Sequence, residues 1–256
     1  MNAVTEPETR KVVLRVQDVV MAFGGLLALR GVSINVAQGE HLAILGPNGA
    51  GKTTLFNVIA GDLKPSRGTV IINGIDMTRR PQRARAGLGV ARTYQKSRLF
   101  GGLTVEDNLY LAIIGKQGPR LRPVPESRAD ERREHARKVA ARVWLTETLD
   151  RRVDSLSHGQ RRQLELGVAL VADPDIIMLD EPASGLSRGE RERLAAMLDD
   201  IRGGVTLLLI EHDMDVALKV AHHVVVMADG VKVAEGTPDE IRHNENVREI
   251  YLGTNV

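Results

Sequence analysis

Short apolar runs dominate the first third of the chain and predict β-strands. KVVLRVQDVVMAF and LRGVSINVAQGEHLAIL are rich in Val, Ile and Leu, and Gly24-Gly25 and Gly39 interrupt them. Apolar, β-branched runs bounded by glycine are typical of strands that end in turns. GTVIINGIDM predicts a short strand pair that turns at Asn73-Gly74. We therefore expect an N-terminal antiparallel β region.

The last third of the chain alternates strand patterns with helix patterns. The apolar runs DIIML, VTLLLIE and HVVVMADG are separated by ERERLAAMLDDIR and MDVALKVA, and VKVAEG follows them. Short apolar strands with helices between them predict a mostly parallel sheet that is covered on both faces.

Residues from about 96 to 170 differ from both flanking regions because they carry mainly helical patterns. The longest is ESRADERREHARKVAARVWL. We predict a single α/β domain over residues 11–256, with a helical subdomain inserted at about 96–170. Residues 1–10 are predicted to be a disordered tail.

The stretch ILGPNGAGKTT, residues 44–54, matches the phosphate-loop pattern G-x-x-x-x-G-K-[ST] between an apolar strand and a helix. Glycine allows main-chain N–H groups to approach a phosphate at a helix N-terminus. Lys52 adds a charge for the β- and γ-phosphates, and the Thr53 hydroxyl suits Mg²⁺. The fold class is therefore predicted as a P-loop NTPase core. The candidate binding residues of the loop are Gly46, Pro47, Asn48, Gly49, Ala50, Gly51, Lys52, Thr53 and Thr54.

Two later strands are predicted to end in polar side chains. DIIMLDEP ends in Asp180 and Glu181, and VTLLLIEH ends at His212. Ligands of open α/β sheets bind at the carboxyl ends of the strands. One carboxylate can help to hold Mg²⁺, and the next can orient and deprotonate the attacking water. His212 has two interpretations, contact with a γ-phosphate or a structural role.

LSHGQRRQLELGVALV places Ser157, Gly159 and Gln160 just before an amphipathic helix. A serine there is often only an N-cap. A helix N-terminus behind a small polar turn is also a phosphate receptor. If both receptors serve one nucleotide, they can lie on different subunits, so that nucleotide joins a dimer.

Composition narrows the function classes. The chain has 256 residues and a formal net charge of only +2, which does not indicate a nucleic-acid binder. It has no cysteine, which excludes disulfides and cysteine-based metal or nucleophile sites. No segment reaches about 18 consecutive apolar residues, and the N-terminus has no signal-peptide pattern. Work at a membrane would thus require a separate membrane-spanning partner.

Taken together, these motifs resemble the ATP-binding subunit of an ABC transporter. GPNGAGKTT, the glutamine of RTYQKSRLF, LSHGQ, IIMLDEP and IEHD stand in the order of that family, and the likeness runs from about residue 12 to the end. The resemblance implies ATP and Mg²⁺ as cofactors. It also implies that Phe23 stacks on adenine. Gln95 would contact Mg²⁺ and water and sense the transmembrane partner.

The same resemblance assigns roles to the other motifs. Ser157 and Gly159 would clasp the γ-phosphate bound by the opposite subunit. Asp180 would serve Mg²⁺, Glu181 would be the general base, and His212 would be the switch histidine. Three departures stand out: His158 replaces the commoner glycine of LSGGQ, Ser187 replaces an aspartate found in many relatives, and Phe23 replaces the commoner tyrosine.

AFGGLLALRGVS, RTYQKSRLFGGLTVEDNL and GTPDEIRHNENVREIYLG are similar to the branch that imports branched-chain amino acids, urea or amides. The resemblance implies permease subunits docking near Gln95–Thr104, a second ATPase subunit, homo- or heteromeric, and a solute-binding protein outside the cell. The chain would lie at the cytoplasmic face of the membrane. Leu99 and Phe100 would either face the permease or pack inside the helical insert.

Three alternatives remain. The chain could serve a urea or amide importer or a lipid exporter, because the solute is chosen by the permease. A soluble ABC ATPase without transport usually has two nucleotide domains or a long coiled coil, and this chain has one phosphate loop and no heptad run. A nucleotide-binding module without turnover is opposed by the presence of both Glu181 and His212.

Overall fold

The computed structural model describes residues 11–93, 99–116, 126–201 and 204–252. The predicted tail, residues 1–10, and Gln95 lie outside these residues. The strands are β1 Val12–Phe23, β2 Leu26–Ala37, β3 His41–Leu45, β4 Arg67–Ile72, β5 Ile75–Asp76, β6 Val90–Arg92, β7 Ile176–Asp180, β8 Thr206–Ile210, β9 His223–Ala228 and β10 Val231–Gly236. The helices are α1 Lys52–Ala60, α2 Gln82–Ala86, α3 Val105–Lys116, α4 Glu126–Arg142, α5 His158–Leu170, α6 Arg188–Asp200, α7 Met214–Val220, α8 Pro238–His243 and α9 Glu245–Leu252.

The strands form two sheets. The first is antiparallel, with the order β2-β1-β4-β5, and its β4–β5 turn falls at Asn73-Gly74 as predicted. The second has the order β10-β9-β3-β8-β7-β6 and is parallel except for β10. The predicted fold class, a mostly parallel core with an N-terminal antiparallel region and inserted helices, is confirmed.

The parallel strands are buried on both faces. Every residue of β3, β7 and β8 is buried. One hydrophobic cluster lies between the two sheets and includes Phe56 and Leu55 of α1. The other lies on the opposite face and extends into α3, α4 and α5. This double covering explains why these strands appear in the sequence as continuous apolar runs without alternation.

Between β6 and β7, the described residues form α3, α4, α5 and two short 3-10 turns. The longest helix ends at Arg142, earlier than the pattern through Leu145 indicated. Trp144 has a φ of 57° and is 43% exposed, and its Nε1 donates to Asp200 Oδ2 at 3.3 Å. The left-handed backbone at Trp144 ends the helix, so this residue does not extend the buried face of Val139, Ala140 and Val143.

No helix in the described part of the chain combines the length and the apolarity needed to cross a membrane.

Candidate functional site

The phosphate loop connects β3 to α1, and two of its glycines are required by close packing. A Cβ on Gly46 would lie 2.1 Å from the Met227 carbonyl oxygen, and a Cβ on Gly51 would lie 2.6 Å from the Ala28 carbonyl oxygen. Their φ values, 144° and 95°, also fall in the region that side chains disfavour. The loop can therefore be close to β9 and to the β1–β2 hairpin only with glycine at both positions.

Lys52 begins α1 and turns back into the loop. Its Nζ donates to the carbonyl oxygens of Gly46 at 2.6 Å and Pro47 at 2.9 Å. Burial lowers the pKa of Lys52, while the nearby carboxylates of Glu181 and Asp180 oppose that shift. The ammonium group is therefore held inside the loop, beside both strand-end carboxylates. The next residue of the helix, Thr53, is exposed.

The carboxyl ends of β7 and β8 bring two of the predicted catalytic side chains, Glu181 and His212, close together. Glu181 follows β7, and its N–H donates to the Ile210 carbonyl oxygen at 2.9 Å. His212 follows β8 by two residues, and its Nδ1 lies 4.0 Å from Glu181 Oε2. Glu181 has a φ of 49°. Such a conformation costs free energy in a non-glycine residue and occurs mainly where the surrounding structure enforces it.

Asp180 ends β7 and is 5% exposed. Its Oδ2 accepts from Arg92 Nη2 at 3.2 Å. Burial raises the pKa of Asp180, and the Arg92 guanidinium lowers it. Its buried Oδ1 has no hydrogen-bond partner within the residues that the structure describes. A buried carboxylate oxygen without a partner is a ready ligand for a hard cation or its bound water.

The Ser157 turn forms a separate cluster. Ser157 caps α5, its Oγ accepting from the Gln160 N–H, and the Gly159 N–H donates to Glu190 Oε1 at 3.1 Å. Gly159 and Gln160 lie within the first turn of α5 and not before the helix, because the helix begins at His158. Across the described ranges, no hydrogen bond or ion pair joins this cluster to the phosphate loop.

Phe23 ends β1 and is 46% exposed. It belongs to the β1–β2 hairpin, whose Ala28 carbonyl oxygen lies close to Gly51 of the phosphate loop. The two apolar residues of the insert differ from each other. Leu99 packs against the buried core, whereas Phe100 is 58% exposed.

Three side chains near the site were missed by the sequence analysis. Arg92 forms ion pairs with two carboxylates: its Nη2 contacts Asp180, and its Nη1 lies 2.7 Å from Asp62 Oδ2. Glu211 is completely buried beside His212. The Tyr251 hydroxyl, at the end of the chain, accepts from the Gly46 N–H at 2.7 Å. Only Glu211 carried a local signal, as a charged residue next to an apolar strand.

A phosphate loop on a parallel sheet, with carboxylates at the adjacent strand ends, defines the class as a P-loop nucleoside triphosphatase. Residues 29–184 match the family described as ABC transporter, and residues 231–256 match the family described as Branched-chain amino acid ATP-binding cassette transporter. The chain belongs to the ABC transporter family, and it is a nucleotide-binding ATPase of that family.

Individual relatives match over nearly the whole chain. The high-affinity branched-chain amino acid transport ATP-binding protein BraF of Pseudomonas aeruginosa is 39% identical over 249 residues, 94% of this chain and 98% of that protein. LivG of Escherichia coli, described in the same words, is 37% identical over 248 residues, 94% of this chain and 97% of that protein. The ADP conformation of MJ1267, an ATP-binding cassette of an ABC transporter, superposes with a TM-score of 0.84 at 33% identity. The superposition covers 94% of this chain and 99% of the MJ1267 chain.

Proposed function

We propose that this ATPase dimerises on ATP and powers the import of branched-chain or other hydrophobic amino acids through separate permease subunits. The solute proposal is supported by the family match at residues 231–256 and by the relatives' names. The catalytic proposal is carried by one observation, the 4.0 Å approach of His212 to Glu181 beside Lys52. Residues 11–256 would form one domain, with about 96–170 as its helical subdomain.

Binding would depend on the loop from Gly46 to Thr54. Its N–H groups and the N-terminus of α1 would receive the β- and γ-phosphates. The Lys52 ammonium, now bonded to two loop carbonyls, would pair with phosphate oxygens. Phe23 would stack on the adenine ring.

The chemistry of the residues fits a magnesium ion. Asp180 offers a buried oxygen without a described partner, and Thr53 offers an exposed hydroxyl at the start of α1. Gln95, outside the described residues, is proposed as a further ligand. Bound Mg²⁺ neutralises charge on the β- and γ-phosphates of a nucleotide.

Glu181 would act as the general base that takes a proton from the attacking water, and His212 would help to hold the γ-phosphate. The positive φ of Glu181 and its N–H bond to Ile210 hold its backbone in one orientation. Catalysis of this kind depends mainly on position and charge.

A second subunit would complete each site. Within its own subunit, the Gly159 N–H of this cluster donates to Glu190, and the Gln160 N–H donates to Ser157 Oγ. We propose that two subunits close head to tail, so that Ser157 and Gly159 of one meet the γ-phosphate held by the other. The second subunit is either another copy or a related chain.

The permease would dock beside the segment Gln95–Thr104. A cavity of about 820 Å³ opens there, lined by residues of α2, β6 and α5 and by Leu99. A mostly apolar groove between a sheet and a helical region fits a short helix of a partner. Docking there would hold the chain at the cytoplasmic face of the membrane, with a solute-binding protein acting from the other side.

Glu181→Gln tests the catalytic proposal. The amide keeps the shape of the side chain but cannot accept the water proton, so we expect hydrolysis to fall by about 100-fold or more. ATP binding should persist, and an ATP-stabilised dimer should appear in size-exclusion chromatography. Glu192→Gln is the control, because that glutamate is exposed on α6. Normal turnover by Glu181→Gln would remove Glu181 as the base.

A further inference from the structure

Glu211 lies between the two loops that carry the proposed catalytic groups. It follows β8 directly, and its side chain is 0% exposed, whereas the adjoining His212 side chain is 56% exposed. A glutamate is rarely buried completely unless its carboxylate is paired or hydrogen-bonded. Nothing in the mechanism proposed above uses this residue.

The contacts of the Glu211 carboxylate span both loops. Oε1 accepts from the Ala183 N–H at 2.8 Å, in the loop that follows Glu181. Oε2 accepts from the His212 N–H at 3.3 Å, and the Asp213 N–H also donates to the carboxylate. One side chain therefore joins the end of β7 to the end of β8.

These donors explain how a carboxylate is tolerated there. Burial raises the pKa of Glu211, and the Ala183 N–H, the His212 imidazole and the N–H groups of Asp213 and His212 oppose that shift. Hydrogen bonds to the charged form of a carboxylate favour that form. The imidazole also lies between two carboxylates, since His212 Nδ1 is 3.9 Å from Glu211 Oε2 and 4.0 Å from Glu181 Oε2.

We propose that Glu211 is a positioning residue for hydrolysis, whose carboxylate holds the Ala183 loop against the His212–Asp213 loop and so sets the distance between Glu181 and His212. This inference depends on the roles proposed above for Glu181 and His212. Glu211 acts through those two side chains, by fixing the backbone from which each one projects.

Glu211→Gln is the first test, made on the full-length chain. Glutamine has one acceptor oxygen, which can accept from the N–H groups of one loop. Its NH₂ group would then face an N–H donor of the other loop, and that donor would have no acceptor. We expect kcat to fall by about tenfold or more, because a buried donor is left without a partner, while the Kd for ATP stays within about threefold.

A double-mutant cycle with His212→Ala separates positioning from a merely structural role. If Glu211 acts through His212, Glu211→Gln should lower kcat much less in the His212→Ala background than in the wild type. If Glu211 had only a structural role, Glu211→Gln would lower kcat by the same factor in both backgrounds.

Thr206→Val is the matched control. Thr206 lies at the opposite end of β8, is 1% exposed, and accepts from the Gly39 N–H at 3.0 Å. Thr206→Val also removes a buried hydrogen-bond acceptor from β8. Because it alters neither the Ala183 loop nor the His212–Asp213 loop, kcat should be unchanged. If Glu211→Gln does not fold, the cycle is repeated with Glu211→Asp, which keeps the charge but is too short to reach both loops.

Two outcomes would overturn the proposal for Glu211 and leave the proposed function intact. One is an unchanged kcat in Glu211→Gln, and the other is a decrease in kcat by the same factor in both backgrounds. Full turnover by His212→Ala would be a different result. It would overturn the role proposed for His212 and, with it, this inference.

Discussion

At the scale of single residues, Lys52 shows how the site is prepared for an anion. The residue as a whole is 7% exposed, and its ammonium group donates to the carbonyl oxygens of Gly46 and Pro47. Carbonyl oxygens are weaker partners for a cation than phosphate oxygens are. A phosphate that entered the loop would thus give this ammonium group stronger partners than the two carbonyl oxygens it now contacts.

Lys52→Ala should weaken ATP binding. A hydrogen bond to a charged group contributes about 1.5–3 kcal/mol, so we expect affinity to fall by about 10- to 150-fold. Titration with a fluorescent ATP analogue measures this change. Lys138→Ala is the control, because that lysine is exposed on α4. Unchanged binding by Lys52→Ala would contradict the assignment of the phosphate loop.

At the scale of elements, capping boxes that contain a glutamate fix the starts of α6 and α8. Ser187 caps α6 together with Glu190, and Thr237 caps α8 together with Glu240. Hydrogen bonds from each cap lower the pKa of the glutamate. Serine at position 187 therefore has a defined structural role. Glu190 also accepts from Gly159, which links the starts of α5 and α6.

Ser187→Ala should lower the free energy of unfolding by about 1 kcal/mol, the usual cost of losing a serine N-cap. The pKa of Glu190 is lowered in the folded state, so its contribution is present above the ordinary carboxyl pKa and is lost as pH falls through the lowered value. The difference from wild type should consequently shrink in acid. Urea unfolding at neutral and acidic pH measures it.

Thr237→Ala is the comparison for that experiment, because it removes an equivalent cap far from the Ser157 cluster. It should show the same dependence on pH. A Ser187→Ala difference that stayed constant into acid would show that the Glu190 carboxylate takes no part in the cap.

At the scale of the whole molecule, the cavity beside Leu99 lies between the sheet and the helices that follow β6. Its lining includes Ala169 of α5 and Ala91 of β6, so an occupant would contact both parts at once. A movement of α5 relative to the sheet would then move an occupant of the cavity, and a movement of the occupant would shift α5 relative to the sheet.

Ala169→Arg should abolish the recovery of permease subunits when the chain is purified from native membranes in mild detergent. The long charged side chain would fill an apolar groove and leave its charge buried against the partner. Ala141→Arg is the matched control, because it makes the same change at an exposed position of α4. Mass spectrometry identifies the co-purifying proteins. Recovery of only soluble partners with the wild type would contradict the transport proposal.

Sequence alone determined the features that depend on local order. The strand–loop–helix around Lys52 and the strand that ends at Asp180 are encoded by neighbouring residues, and the family follows from their order along the chain. The mostly parallel sheet also followed, because strands that are buried on both faces appear as continuous apolar runs.

Only the tertiary structure decided which distant groups meet. Tyr251 reaches Gly46 across 205 positions, Arg92 reaches Asp180 across 88, and Glu211 accepts from Ala183 across 28. No spacing rule encodes these contacts, because they depend on strand order in the sheet and on how α9 packs. The burial of Glu211 likewise depends on the elements around it. Local sequence thus specified the groups that we propose to react, and the packing of the sheet specified what holds them in place.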